Sequence, residues 1–241
     1  NIKPAKLDYQ ITDVYPHDKN AFTQGLAWDQ GFLYEGTGKR GRSTLRKIKP
    51  QTGEVLQSLN LSNRVFGEGI CIYKDKIYQL TWRSQKGYIY NKSDFSKIRE
   101  FSYFSEGWGL TSNSTHLIMS EGSQRLYFME PEYFSEVRQI EVYNQEGAVN
   151  MLNELEYVHN TIFANVYQES HIVQIDPETG KVLGILDLEK LVPRNLKGHN
   201  EKVLNGIAYQ PDKQIFWITG KMWPKTYALK ITNLHKTLST K

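Results

Sequence analysis

Five residues recur at one offset in this chain: Gln24, Glu68, Trp108, Asn153 and Asn205. Each sits second in a related segment, TQGLAW, GEGICI, GWGLTS, LNELEY and LNGIAY in turn. The third residues of these segments are Gly25, Gly69, Gly109, Glu154 and Gly206. A second set lies thirteen residues further on, at Gly38, Trp82, Gly122 and Tyr167, with Lys221 fifteen on because its turn, QPDKQ, is longer. One carboxyl group, several amides, a lysine and three large aromatics are the parts of a small-ligand site, with apolar walls and a few aimed polar groups. The same residues also fit a water-filled channel whose polar side chains are satisfied by solvent. Trp82, Trp108 and Tyr167 also fit packing between sheets, as do Trp28, Trp217 and Trp223. Trp82 and Trp108 differ from the other tryptophans in sitting at ring positions, which favours the pocket.

The elements that must carry these residues are short strands. Each segment is followed by a brief turn and a second run rich in aromatic and β-branched residues: FLYEGTG, KIYQLTW, HLIMSEG, TIFANVY and IFWITGK. The segments recur at spacings of 44, 40, 45 and 52 residues. Other stretches repeat too, IKPQTGEVLQSLNL (48–61) as IDPETGKVLGILDL (175–188), and DFSKIREF (94–101) as YFSEVRQI (133–140). The Pro-x-Thr-Gly piece is a turn, Pro presetting φ and Gly taking the positive-φ position. Units of four short strands at this period predict an all-β fold, a five-bladed β-propeller forming one domain over residues 1–241. The fifth unit stops after its third strand, TYALKIT. The unassigned N-terminal stretch KLDYQITDVYP is predicted to close the last blade as its outer strand and to cover an open edge. In such a ring the first strand of each blade lines the central channel. The glycines there relieve crowding. The stretch DLEKLVPRNLKGHNEK (187–202) interrupts the spacing; it reads as a short helix before Pro193, either folded over one face or serving as a surface connector.

Composition narrows the chemistry. The 241 residues are 39% hydrophobic, with a formal net charge of +4, too weakly basic to argue for nucleic acid. KRGRSTLRKIK (39–49), the densest basic patch, reads as a solvated loop running into an outer strand. Cys71 is the only cysteine and lies in an alternating strand pattern, so it reads as a small buried hydrophobe rather than a nucleophile. The six histidines, His17, His116, His159, His171, His199 and His235, have no metal-ligand spacing. HExxH, CxxC and GxSxG are absent. GTGKRG lacks the earlier glycine of a phosphate loop, since Leu33 stands there. No apolar run is long enough to span a membrane.

Seven motifs in order, PHDKNAFTQGL, FGEGI, EGWGLT, LNELEY, ANVYQ, VLNGIAY and ITGKMWPK, give the chain a resemblance to the plant and bacterial glutaminyl-peptide cyclotransferases. It covers residue 14 to about 232. It implies a five-bladed propeller that turns the N-terminal glutamine of peptides or proteins into pyroglutamate, releasing ammonia. It further implies Phe22, Gln24, Phe66, Trp82, Trp108 and Tyr167 as substrate-binding residues. Glu68, Lys221 and Asn153 are implied as catalytic, with Glu68 as proton shuttle and Lys221 and Asn153 donating to the oxyanion. Glu35, Glu121, Asn165 and Asn205 are candidates for supporting positions. Where plant members typically have tryptophan, this chain has Tyr167. No metal or other cofactor is expected to be required, with a structural calcium ion in the channel left open. A periplasmic or secreted setting is expected, the stretch at hand having no signal segment, as is a monomer. Two other readings stand: a non-catalytic propeller that binds peptide N-termini, and a calcium-dependent propeller hydrolase, which needs more convergent carboxylates than the ring offers.

Overall fold

A computed structural model describes residues 3–234 of the chain, so His235 lies outside the described residues. Two strands open it, β1 (Ala5–Leu7) and β2 (Tyr9–Pro16). Blade one is β3 (Thr23–Asp29), β4 (Phe32–Thr37), β5 (Thr44–Lys49) and β6 (Glu54–Asn60). Blade two is β7 (Gly67–Tyr73), β8 (Lys76–Thr81), β9 (Lys86–Asn91) and β10 (Lys97–Ser102). Blade three is β11 (Leu110–Ser112), β12 (Leu117–Ser120), β13 (Arg125–Met129) and β14 (Glu136–Glu141). A small hairpin follows, β15 (Tyr143–Asn144) with β16 (Gly147–Ala148). Blade four is β17 (Leu152–Val158), β18 (Thr161–Val166), β19 (His171–Ile175) and β20 (Val182–Asp187). Blade five supplies β21 (Leu204–Gln210), β22 (Ile215–Gly220) and β23 (Lys225–Ile231). Every blade is an antiparallel meander, so the fold is the expected five-bladed propeller.

The N-terminal stretch closes the ring as expected, with one difference. Strand β2 is the outer strand of blade five, antiparallel to β23. Strand β1 instead adds a fifth, parallel strand to blade four, Ala5 opposite Gly184. The chain therefore straps two blades, crossing between them at Asp8. The basic patch also sits further in than expected, since β5 is the third strand of its blade and β6 the outermost.

Hydrophobic residues fill the seams between blades. Among the described residues there are five buried clusters, one for each neighbouring pair of blades. Cys71, Leu80 and Tyr127 pack between blades two and three, and Phe163, Phe216 and Trp223 between four and five. Trp28 and Trp217 stack at 5.3 Å across the seam that joins blade five to blade one. These three tryptophans, Trp28, Trp217 and Trp223, are blade packing. Cys71 is buried as expected, and burial pushes its thiol up to about 12.

The axis leaves no room for side chains. A methyl group on Gly25 or Gly109 would run into the next inner strand, at Ile70 N and at Asn153 O respectively. On Gly69 it would lie 2.6 Å from Trp108 O. The fourth blade carries Glu154 at this level instead. Its two carboxylate oxygens accept the backbone N–H groups of Leu26 (3.0 Å) and Ile207 (2.7 Å), so one side chain ties blade four to blades one and five. No helix among the described residues is long and apolar enough to cross a membrane. Overpacking a tight core costs about 1–3 kcal/mol. Gly109→Ala is therefore expected to lower the urea midpoint by that much stability at unchanged slope. An unmoved midpoint would refute the crowding account.

Candidate active site

The site is made by a backbone irregularity repeated around the ring. In four blades the pairing of first and second strand slips at one place: between Thr23 and Gly25, Gly67 and Ile70, Leu152 and Leu155, and Leu204 and Ile207. The residues inside the slips include Gln24, Glu68, Asn153 and Asn205. A bulge leaves its residue outside the ladder and re-aims the side chain. Beyond each bulge, the residue just after the second strand bonds back to the residue just before the inner strand: Gly38 N to Phe22 O, Trp82 N to Phe66 O, Tyr167 N to Met151 O and Lys221 N to Val203 O. The two rings seen in the sequence are thus one above the other at one mouth.

They enclose a cavity of about 270 Å3. Its lining contains all nine residues expected to be catalytic or substrate-binding: Phe22, Gln24, Phe66, Glu68, Trp82, Trp108, Asn153, Tyr167 and Lys221. Lys39 and Glu201 complete it and form an ion pair at 3.1 Å across the rim. Gly38 and Gly122 do not open onto the mouth; they are seats. Phe66 lies on Gly38, and a methyl on Gly122 would meet Trp108 at 2.6 Å. Phe22 and Phe66 meet edge to face at 5.9 Å, Phe66 and Trp82 at 5.6 Å, and Trp108 and Tyr167 at 5.7 Å. The walls are therefore a continuous belt of rings.

Within that belt stand two ionisable groups. Glu68 is buried, and Gln24 Nε2 donates to its Oε1 at 2.9 Å. Burial raises its pKa well above the usual carboxylate range; the Lys221 charge and the Gln24 hydrogen bond pull it back, while Glu106 adds to the rise. Lys221 Nζ lies over the rings of Tyr167 (4.7 Å) and Phe22 (5.0 Å). Burial lowers its pKa to about 8, against the upward pull of Glu68. Asn153 has its Oδ1 buried without a protein partner.

The supporting candidates fall into two groups. Asn205 lies below the cavity floor, and its Nδ2 donates to Thr23 O at 3.0 Å and to Gln24 Oε1 at 3.4 Å. A relay thus runs from Asn205 through Gln24 to Glu68. Asn165 Oδ1 accepts the Gly206 N–H at 3.0 Å and holds the bulge of blade five. Glu35 and Glu121 are not brought to the cavity. Glu121 accepts from the Ser123 hydroxyl on a nearby turn. Glu35 is fully buried at the seam where the ring closes, paired with His17 Nε2 at 2.9 Å. His17 Nδ1 meets Trp223 O at 2.6 Å, so both ring nitrogens face acceptors.

Three residues at or beside the cavity escaped the sequence reading: Lys39 and Glu201, which line it, and Glu106, which bonds two of its wall residues. Lys39 and Glu201 sit in loops outside the repeat register. The connector 187–203 holds two short 3-10 turns, Glu189–Leu191 and Arg194–Leu196, and reaches the mouth, where Asn200 O accepts from the Tyr167 hydroxyl at 3.2 Å. Glu106 had a usable signal. It lies two residues before Trp108, as Phe22 and Phe66 lie two before Gln24 and Glu68. An acid at a ring position otherwise filled by Phe22, Phe66, Met151 and Val203 is the anomaly that marks it.

A buried acid and a lysine with opposed pKa shifts, inside an aromatic pocket at a propeller mouth, define an enzyme-like site. Comparison with known proteins agrees. The glutamine cyclotransferase family model matches residues 1–231. A glutaminyl-peptide cyclotransferase of Arabidopsis thaliana is 38% identical over 228 residues, 93% of this chain and 71% of that protein. The crystal structure of Myxococcus xanthus glutaminyl cyclase superposes with a TM-score of 0.88 at 34% identity, over 95% of this chain and 98% of that one. The WD40 propeller of Doa1, at 11% identity and a TM-score of 0.52 over 85% and 62% of the two chains, shares the fold alone. The chain belongs to the glutamine cyclotransferase family and is an enzyme of that class.

The relocation of Glu35 carries its own prediction. Burial lowers the His17 pKa, but the Glu35 charge and hydrogen bond, the Trp223 carbonyl and Asp18 together outweigh it and raise the pKa; Glu35, despite burial, is lowered by His17 with help from Arg46 and Thr23. The histidine contribution is fully present below its ordinary 6.5 and fades as pH rises through the folded value. The carboxylate contribution is present above its ordinary 4.5 and fades as pH falls through the folded value. The stability lost in His17→Gln is therefore expected to be largest between pH 4.5 and 6.5 and to shrink at alkaline pH, as read by urea midpoints. A loss independent of pH would show that the pair is not charged.

Proposed function

We propose that the cavity binds the N-terminal glutamine of a peptide or protein and closes it to pyroglutamate, with release of ammonia. The observation that supports this most is the buried Glu68, oriented by Gln24 and facing Lys221 inside the aromatic belt. A cavity of about 270 Å3 suits one residue at a chain end, not an extended peptide.

In this reading the substrate α-nitrogen attacks the carbon of its own side-chain amide. The amine reacts in its neutral form; an ordinary α-ammonium, with a pKa of about 8, first gives one proton to solvent. As the neutral nitrogen attacks, the Glu68 carboxylate takes a second proton from it and returns that proton to the departing nitrogen; burial, which raises the Glu68 pKa, favours this uptake. The new C–N bond forms, the old one breaks, and ammonia leaves with the proton that Glu68 carried. The oxyanion of the tetrahedral intermediate is met by Lys221 and by the Asn153 amide; a donor of this kind is worth about 3–4 kcal/mol in other enzymes. Phe22, Phe66, Trp82, Trp108 and Tyr167 keep the glutamine curled, amine against amide, and exclude water. No metal is used in this scheme, and among the described residues no group of three or more His, Cys, Asp or Glu is placed to hold one. A periplasmic or secreted setting belongs to the same proposal, carried by the family resemblance.

Ammonia release from a Gln-initiated dipeptide tests the scheme. Glu68→Gln is expected to lower kcat by about 10²–10⁴, while chelator leaves the wild type unchanged. Loss of activity on chelation, or full activity in Glu68→Gln, would overturn it. Lys221 sets the alkaline side. It is cationic below about 8 and neutral above, so kcat is expected to fall as pH rises through about 8. Lys221→Arg keeps the charge and is expected to move that fall upward by more than one unit. An unchanged alkaline limb in that variant would remove Lys221 from the scheme.

A further inference from the structure

We propose that Glu106 is a positioning residue that locks the two indoles of the cavity wall against each other, and so sets the surface on which the glutamine end is held. The proposal rests on the cyclisation reading for its substrate, but its geometry stands alone. Glu106 lies on the link from blade two to blade three. Its Oε2 accepts the Trp82 indole N–H at 2.6 Å and the Trp108 indole N–H at 3.0 Å. Its Oε1 accepts from Arg83 Nε at 2.8 Å, and that guanidinium stacks on the Trp82 ring at 4.0 Å. Trp82 follows the second strand of blade two, and Trp108 belongs to blade three. One oxygen that receives both N–H groups fixes the mutual tilt of rings from two blades. The far sides of the rings are fixed separately, Trp82 by Phe66 and Trp108 by its seat on Gly122. The link itself cannot drift, because Gly107 N donates to Trp82 O at 3.0 Å and Trp108 N to Ser120 O at 3.0 Å.

Chemistry explains why an acid is used. Two donors converge on one oxygen, and an ionised carboxylate accepts both more strongly than a neutral acceptor would. Burial works against the Glu106 charge, but the bonds from Trp108, Arg83 and Trp82 hold its pKa below the usual range. The charge also reaches the reacting carboxyl. The charged groups that face Glu68 are Lys221 from blade five and Glu106 itself, with Gln24 bonded to it and the Tyr103 and Tyr167 hydroxyls within electrostatic range. Glu106 therefore opposes Lys221 at Glu68.

The bland explanation is an exposed Arg83–Glu106 ion pair of little consequence. An experiment on the full chain separates the two. The indole N–H signals of 15N-labelled protein are assigned with Trp82→Phe and Trp108→Phe. Glu106→Ala, Glu106→Gln and Arg83→Ala are then compared in those spectra, in thermal midpoint and in kinetics on a Gln-initiated dipeptide. In Glu106→Ala both indole signals are expected to move upfield together. KM is expected to rise about tenfold or more, with kcat changed much less. Glu106→Gln, which keeps an acceptor oxygen, is expected to restore most of KM. In both variants the acid limb of kcat moves to lower pH, since a negative charge facing Glu68 is gone. Arg83→Ala is expected to leave both signals near their wild-type positions. Unmoved indole signals in Glu106→Ala, or KM and pH limb unchanged in both variants, overturn the proposal. If Glu106→Ala does not fold, Glu106→Gln carries the same test through its pH limb and indole shifts. A wild type with no cyclisation would sink the functional reading alone, because the indole signals still report whether Glu106 holds the two rings.

Discussion

Five inner strands converge on one axis with no space for side chains where they meet, and the rest of the molecule follows from that crowding. Glycine occupies the level of closest approach in four blades. In the fifth case Glu154 reaches across and takes backbone N–H groups from two other blades. At this level the pairing of first and second strand slips in blades one, two, four and five. The slips hold Gln24, Glu68, Asn153 and Asn205, polar groups of the cavity and its floor, and Lys221 joins them from just past the second strand of blade five.

Two buried acids show how partners separate structure from chemistry. Glu154 and Glu68 are both deep, and burial raises both well above the carboxylate range. Glu154 has each oxygen engaged by a backbone N–H and no open space beside it, so its valences are spent on holding strands. Glu68 has one oxygen engaged by a side-chain amide, a lysine nearby and an aromatic cavity in front. Only the second arrangement leaves a carboxylate at an open cavity with one oxygen free of a backbone N–H or amide partner.

Much of this was legible in the sequence because the repeat keeps register. Aligning five short segments gave the blade count, the inner strands and seven of the expected cavity residues; Phe22 and Phe66 came only from the family resemblance. What escaped lies where register carries no information. The slip itself is a backbone event and has no residue signature of its own. Gly38 and Gly122 looked like openings, since a sequence does not show that Phe66 and Trp108 lie on them. Glu201 comes from an irregular connector, and Lys39 from a basic run that resembled any solvated loop. The N-terminal stretch read as one strand; it divides at Asp8, where the chain passes from the edge of blade four to the edge of blade five. Glu106 was findable, but only by comparing members of a ring position rather than reading each motif alone.

The strap at the N-terminus has a consequence for time rather than geometry. Tyr9 pairs with Ile231, and Ala5 with Gly184, so the opening strands of this propeller find their partners among its last strands. Contacts this distant along the chain are slow to form, and a nascent chain carries β1 and β2 unpaired until nearly all of the ring exists. Until then the open edges of blades four and five are templates for wrong pairing. Once both strands are seated, the same distance works in reverse. Opening either blade means stripping a strand held at the other end of the sequence, which slows escape from the native state. Closure by strands this distant in sequence thus works on both directions of the folding reaction, delaying the last pairings and raising the barrier to losing them.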